Sequence, residues 1–325
     1  MQKYTVYVDG QAGTTGLKIN ERLTNHPYVE IMKIDEAKRK DLDERKKMIN
    51  SADIVFLCLP DAAAIEAVSL IEPSNTHTKI LDASTAHRTS PEWTYGIPEL
   101  SKEARAKIAV SNRTAVPGCY ASSFILPLYP LVQSSMIPKD FPITSYGISG
   151  YSGAGKTAIA DYTDPNIATN HPTYLAPRPY ALSLSHKHIP EMQKIVGLDY
   201  APIFSPIVNN YYKGLAVATS IHTRLLLKKY TPKDFHEYLT EYYKDEYFVK
   251  VMPFNTAECD NHELGDKFFS PLACNDTNFA EIFVYGNDDQ ILLLTRLDNL
   301  GKGASGAAIQ NMNIMLGLDE KLALE

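Results

Sequence analysis

The stretch KYTVYVDGQAGTTG, residues 3–16, decides how the chain is read. Residues 3–9 are rich in β-branched and aromatic side chains and read as a strand. Gly10, Gly13 and Gly16 follow at intervals of three, ahead of a helix-like run around Leu17–Leu23. Strand, glycine turn and helix in that order open a βαβ unit. Glycines there permit the tight turn and let a pyrophosphate approach the backbone, and the N–H groups of the helix N-terminus face the phosphates. Gly10, Gly13, Thr14, Thr15 and Gly16 are therefore the candidate cofactor-binding residues, against the simpler reading of a tight turn that binds nothing.

The next segments extend the same unit. Val29–Asp35 reads as a second strand with Asp35 at its end, where a carboxylate can accept the ribose hydroxyls of NAD. Lys38, Arg39 and Lys40 follow directly and can neutralise a 2′-phosphate, which tips the expected cofactor to NADP. The same cations also fit the solvated face of a charged helix expected over residues 38–50. DIVFLCLP, residues 53–60, is the nearly continuous apolar run of a parallel strand covered on both faces, with Cys58 inside it as a small buried hydrophobe. A helix over Ala62–Ile71 and strands at Lys79–Ser84 and Ile108–Ser111 complete a β-α alternation, hence right-handed crossovers and a parallel sheet.

Near Pro117 the pattern changes. Strands at Ile143–Ser149, Leu215–Arg224 and Glu281–Tyr285 are separated by Pro- and Tyr-rich loops, which predicts an α+β unit with more antiparallel pairing. Ala304–Leu316 is a small-residue, apolar helical pattern suited to packing on a sheet, and is expected to return to the first domain.

The composition agrees with a folded two-domain chain. There are 325 residues, 44% of them hydrophobic and 22% charged, so global disorder is excluded. No apolar run approaches the ~20 residues of a membrane span. The N-terminus lacks the pattern of a secretory signal, so the cytoplasm is the expected compartment. A formal charge of −6 argues against nucleic acid as a partner. The four cysteines, 58, 119, 259 and 274, include no CxxC pair, which argues against a disulfide framework or a structural zinc site.

Three further motifs carry chemistry. In VPGCYASS, residues 116–123, Pro-Gly interrupts the chain before Cys119 and a helix-like run follows. A helix N-terminus acidifies a thiol and stabilises a neighbouring oxyanion, the environment of a nucleophile. HKHIPE, residues 186–191, offers two histidines as metal ligands or as an acid/base, with Glu191 able to orient an imidazole; alternatively they are bystanders in a loop. A metal would need further ligands, and Cys259, His262 and Glu263 have nothing to fix them nearby, so no metal is expected. GYSGAGKT, residues 150–157, fits the phosphate-loop pattern GxxxxGK[ST], but the prolines that follow break any long helix, so it reads as a glycine-rich site loop. Nucleotide hydrolysis is the competing reading.

VDGQAGTTG, PGCYASS, GISGYSGAGK, HKHIPEM and the terminal DNLGKGASGAAIQNMNIMLG, taken together and in that order, resemble the shorter-chain N-acetyl-γ-glutamyl-phosphate reductases of arginine biosynthesis, over nearly the whole chain. These are relatives of the aspartate-semialdehyde dehydrogenases. The resemblance implies an NADP-binding Rossmann domain, residues 1–116 and 299–325, interrupted by a catalytic and oligomerisation α+β domain, residues 117–298. It implies a homo-oligomer, dimer or tetramer, acting on a small molecule, and Cys119 as nucleophile. Here TAVPGC stands where ANPGC is frequent in the family. The resemblance also implies His188, with His186 as competitor, as acid/base beside Glu191, and Asn299 near the nicotinamide. A substrate with a phosphate and a carboxylate requires cations, and Arg88, Arg113 and Lys156 are the candidates. The one-carbon-longer substrate of lysine synthesis is the closest alternative.

Overall fold

The computed structural model describes residues 3–254 and 268–324. Cys259, His262 and Glu263 lie outside the described residues. The first stretch alternates strand and helix: β1 (Tyr4–Asp9), α1 (Thr14–Thr24), β2 (Val29–Met32), α2 (Leu42–Ser51), β3 (Ile54–Leu57), α3 (Asp61–Ser69), β4 (Lys79–Asp82), β5 (Thr94–Tyr95), α4 (Lys102–Val110) and β6 (Arg113–Ala115). Next come α5 (Cys119–Gln133), β7 (Thr144–Gly150), α6 (Lys156–Tyr162), α7 (Ile167–Asn170), β8 (Arg178–Pro179), α8 (Ile189–Val196), β9 (Ile203–Asn209) and β10 (Leu215–His222). The chain closes with α9 (Pro232–Tyr243), β11 (Val249–Val251), β12 (Ala280–Gly286), β13 (Gln290–Leu297), a π-helical turn (Gly301–Ser305) and α10 (Gly306–Met315).

Two compact units result. Met1–Gly118 and Ala304–Glu325 form the first, and Cys119–Gly303 the second. The first holds a parallel sheet in the order β2-β1-β3-β4-β6-β5. β3 is its apolar spine. Ile54, Val55, Phe56 and Leu57 are all buried, each worth roughly 1.5–3 kcal/mol of transfer free energy. The last helix, α10, packs on α1, α4 and β4, as expected for a returning element. It is buried all round, so its polar side chains need partners. Gln310 Nε2 donates to Glu99 Oε1 at 2.8 Å, Asn311 Nδ2 to Gly96 O at 2.9 Å, and Asn313 Oδ1 lies 3.0 Å from His26 Nε2.

The second unit holds a mixed sheet, β11-β12-β13-β10-β7-β9-β8. The β11–β12 and β7–β9 pairs are parallel and the others antiparallel. α5 and α9 pack on the sheet, and α8 packs on α5. Phe204, Ser145, Thr219, Leu293 and Val284 lie in one register row across five strands, all of them buried.

Some local expectations are corrected. Ile108–Ser111 is no strand: Ile108–Val110 ends α4, and the strand is β6. Ser101 caps that helix by accepting from the Ala104 N–H at 3.0 Å, and KEARAKIAV is mostly strong helix formers with only Ile108 buried. The charged helix begins at Leu42 rather than at 38, because Asp41 caps it through the Glu44 N–H while residues 36–38 form a 3₁₀ turn. The second strand stops at Met32. Cys58 lies just beyond β3 and is half-buried rather than inside the strand; its packed surroundings, with Asp82 and Asp9 adding, push its thiol up.

Candidate active site

In the first unit the glycine turn has a steric cause. Gly10 sits at φ +87°, and a Cβ there would come 2.3 Å from Cys58 O. A Cβ on Gly16 would come 2.5 Å from Gly10 O. Only glycine lets the turn lie against the end of β3 and the helix against the turn. Gly13 is the N-cap of α1 and contributes no side-chain cap, so no capping side chain covers the first-turn N–H groups of Thr14, Thr15 and Gly16, the kind of donors that take a phosphate. This cradle fits a dinucleotide pyrophosphate.

Asp9, buried immediately before Gly10, would repel a phosphate if left uncompensated. Arg45 from α2 compensates it, donating from Nη2 and Nε to Asp9 Oδ2 at 2.9 and 3.2 Å, and from Nη1 to Glu66 at 2.9 Å. No sequence periodicity signals this pairing. Past β2, the Asp35 carboxylate caps its own 3₁₀ turn through the Ala37 N–H. Lys38 pairs with Glu44 at 3.5 Å and Arg39 with Glu36. These are exposed pairs that cost little to exchange for another anion.

Arg88 and Arg113 also belong to this unit. Arg88 is buried and donates to the carbonyls of Val116 and Ala83 at 2.9 and 3.2 Å, which ties down the segment leading to residue 118. Arg113 opens β6 and is half-buried. In the second unit, Lys156 is exposed at the start of α6, just after Gly155 at φ +87°. That helix has seven residues and stops before Pro165.

The second unit begins on Cys119, at the N-terminus of α5 and half-buried. Gly303, on the π-helical turn, stands behind it: a Cβ there would come 2.7 Å from Cys119 Cβ. Tyr120 then organises the surroundings. Its ring lies on Gly147 of β7, where a Cβ would come 2.6 Å from Tyr120 Cε1, and its hydroxyl donates to Ser149 Oγ at 2.7 Å. Burial pushes the Tyr120 hydroxyl pKa well up, so it stays protonated. The same ring meets the His186 and His188 rings edge-on, at centroid distances of 5.8 and 6.1 Å. The PGCY and HKH segments, nearly seventy residues apart, are thus neighbours through one tyrosine.

The two histidines are held differently. His186 Nδ1 accepts the His188 N–H at 3.2 Å, which leaves its ring hydrogen on Nε2 in the neutral form, and Tyr120, Tyr180 and Phe204 surround the ring. His188 is the N-cap of α8, with Nε2 4.0 Å from Oε1 of the buried Glu191, one helical turn on. Asn299, also buried, accepts from the Gly214 N–H at 2.8 Å and donates to Ser152 Oγ at 2.9 Å. Its amide therefore clamps the glycine-rich loop inside the second unit. Tyr120, Gly147 and Gly303 were given no role by the motifs; a tyrosine directly after a candidate nucleophile was the available signal. Among the described residues no group of three or more His, Cys, Asp or Glu side chains is placed to hold a metal, and no helix is long and apolar enough to cross a membrane.

Comparison with known proteins gives these units a family. Residues 5–108 match the family described as semialdehyde dehydrogenase, NAD binding domain, and residues 119–299 the one described as semialdehyde dehydrogenase, dimerisation domain. The N-acetyl-gamma-glutamyl-phosphate reductase 2 of Nostoc sp. is 44% identical over the whole of both chains. The reductases of that name from Pseudomonas putida (reductase 2) and Brucella ovis are 40% identical over 98% of both chains, and 42% identical over 97% of this chain and 99% of that one. Among solved structures, aspartate semialdehyde dehydrogenases share the fold. That of Francisella tularensis has TM-score 0.71 and 15% identity over 96% of this chain and 100% of that one, and the Vibrio cholerae enzyme II has TM-score 0.69 and 16% identity over 98% and 99%. With identity at this level from end to end, and the second family description beginning on the cysteine that opens α5, the chain belongs to the N-acetyl-γ-glutamyl-phosphate reductase family of the semialdehyde dehydrogenases.

Proposed function

We propose that the chain reduces N-acetyl-γ-glutamyl phosphate to N-acetylglutamate 5-semialdehyde and phosphate, with NADPH as reductant and Cys119 as the covalent carrier. The observation that carries this reading is the half-buried thiol at the N-terminus of α5, beside a tyrosine that also touches the HKH segment. Cys119 Sγ, as thiolate, attacks the acyl carbon; the C–O bond to phosphate breaks, phosphate leaves with the electron pair, and a thioester remains. NADPH supplies the hydride that reduces this thioester. His188 gives a proton to the resulting thiohemiacetal oxygen and takes it back as the C–S bond breaks, which releases the aldehyde and returns the thiolate. His188 is preferred to His186, whose Nδ1 already accepts a backbone N–H and whose ring is enclosed by three aromatic rings. Glu191, 4.0 Å from the His188 ring, is near enough to attract it once it holds the proton.

In the first unit, Gly10, Gly13, Thr14, Thr15 and Gly16 hold the pyrophosphate, and Lys38 with Arg39 hold the 2′-phosphate. Arg113 and Lys156 receive the substrate's anionic groups. Arg88 acts through the backbone it fixes, and Asn299 through the loop it clamps. The chain works in the cytoplasm as a homo-oligomer. The open end of the mixed sheet supports the second point: Tyr146 and Ile203, on β7 and β9, are 47% and 48% exposed on the face opposite the buried row. A monomeric mass by light scattering would remove it. The reaction is tested in reverse: purified protein given the semialdehyde, NADP and phosphate is expected to form NADPH, and no NADPH would sink the reading. Comparing kcat/KM for this substrate and its one-carbon-longer analogue decides chain length.

A further inference from the structure

A second carboxylate–imidazole pair lies in the first unit, outside the residues assigned above. Asp82 ends β4 and is fully buried. Its Oδ1 accepts the Ser84 N–H at 2.9 Å, and its Oδ2 accepts the Ser84 hydroxyl at 2.7 Å and lies 2.6 Å from His87 Nδ1. A carboxylate at that distance places the ring proton on Nδ1. In the neutral ring Nε2 is then an acceptor. Trp93 stacks on the imidazole, with centroids 4.1 Å apart and planes 16° apart, so the ring is fixed in both direction and tilt. Nothing among the described residues bonds Nε2, and the side chain keeps 12% exposure. An aimed acceptor with no protein partner calls for a donor from outside.

Its position says which donor. Asp9, Leu57, Asp82 and Ala115 stand in register across β1, β3, β4 and β6, so the strands end along one line. The pyrophosphate cradle is at Gly10, directly after Asp9. β2, followed by Asp35, lies on the far side of β1 and is the adenosine side by the rule for such sheets. The other nucleotide must extend toward β3 and β4. Two strand spacings, about 10 Å, separate the ends of β1 and β4, the reach of a nucleoside from its phosphate.

We propose that His87, held by Asp82 and Trp93, accepts a hydrogen bond at Nε2 from a hydroxyl of the ribose on the nicotinamide side of the cofactor. This rests on the NADP reading above and adds a residue and a subsite to it. The partner is a sugar hydroxyl, which needs an acceptor. A pyrophosphate oxygen brings no hydrogen to such an acceptor.

The test is calorimetric titration of the full chain with NADP⁺ and with 2′,5′-ADP, which lacks the nicotinamide nucleotide. His87→Phe keeps a flat ring for Trp93 and removes the acceptor. It is expected to raise the Kd for NADP⁺ by about 3–10-fold, one net hydrogen bond, while the Kd for 2′,5′-ADP stays unchanged. His87→Gln, whose carbonyl oxygen supplies an acceptor at similar reach, is expected to recover part of the loss. Trp93 is the chain's single tryptophan, and its emission is expected to change with NADP⁺ and not with 2′,5′-ADP. Equal NADP⁺ affinity in wild type and His87→Phe overturns the inference, as does equal weakening toward both ligands. Failure of the wild type to bind NADP⁺ removes the cofactor reading and the inference with it.

Discussion

Asp82–His87 in the first unit and Glu191–His188 in the second are both carboxylate–imidazole pairs, and their geometries differ. The first is in direct contact at 2.6 Å, with the ring stacked on an indole. The second is separated by 4.0 Å across one turn of α8, beyond hydrogen-bond length. Contact fixes a tautomer, which suits the binding role proposed for His87; the wider spacing of the second pair is compatible with the acid/base role proposed for His188. The same contrast runs through both units. In the first, the candidate cradle is mostly backbone, made by Gly10 and Gly16, which tolerate no Cβ; in the second, the candidate residues are side chains around one aromatic ring.

If this division holds, changes in one unit should leave the other's property intact. Cys119→Ser is expected to lower turnover by about 10³-fold or more while the NADP⁺ Kd measured by calorimetry stays within about 2-fold. Turnover retained with serine would break the contrast outright. His188→Asn is expected to cost about 10²-fold in kcat, with a smaller loss for His186→Asn; stopped-flow rates that reverse this order would exchange the two roles. Lys38→Ala with Arg39→Ala is expected to weaken NADP⁺ about 10-fold and NAD⁺ hardly at all, with thiol alkylation by iodoacetamide unaffected. Equal loss for both cofactors would dismiss the 2′-phosphate contact.

The smallest effect concerns the closing helix. Burial lowers the pKa of His26, whose Nε2 faces Asn313 Oδ1 on α10 and whose Nδ1 accepts the Tyr28 N–H at 3.3 Å. The folded state therefore resists the proton that the unfolded chain takes up below about pH 6.5. Its contribution to stability is present above that pH and is lost as pH falls toward the lowered value. Denaturant unfolding at pH 7 and pH 5 is expected to show a smaller pH loss for His26→Gln than for the wild type; an identical loss would assign the effect elsewhere.

What the residues revealed beforehand follows the physics of locality. The parallel sheet was legible because buried strands such as IVFL are continuously apolar, and the glycine turn because its spacing is local. The end of α4 is not legible locally: Ile-Ala-Val looks like a strand, and the deciding signal, Ser101, lies seven residues upstream of Ile108. Cys119, His188 and Glu191 stood out from motif and resemblance. The Asp9–Arg45 pair spans 36 residues, and Asp82–His87 depends on the path of a loop with no period, so neither shows in a pattern. Arg88 and Asn299 were visible as polar residues, but only the fold reveals that backbone carbonyls and a loop occupy them.

Gly303 against Cys119 has a consequence for the architecture. The chain leaves the first unit at residue 118 and returns to it at 304, and the residues flanking those two crossings touch. An inserted segment whose ends meet in this way can be gained or lost without stretching its host. Cys119 is the first residue of the insert, so a duplication or exchange of the insert carries this cysteine with it and leaves the glycine turn of the host unit behind as a reusable part.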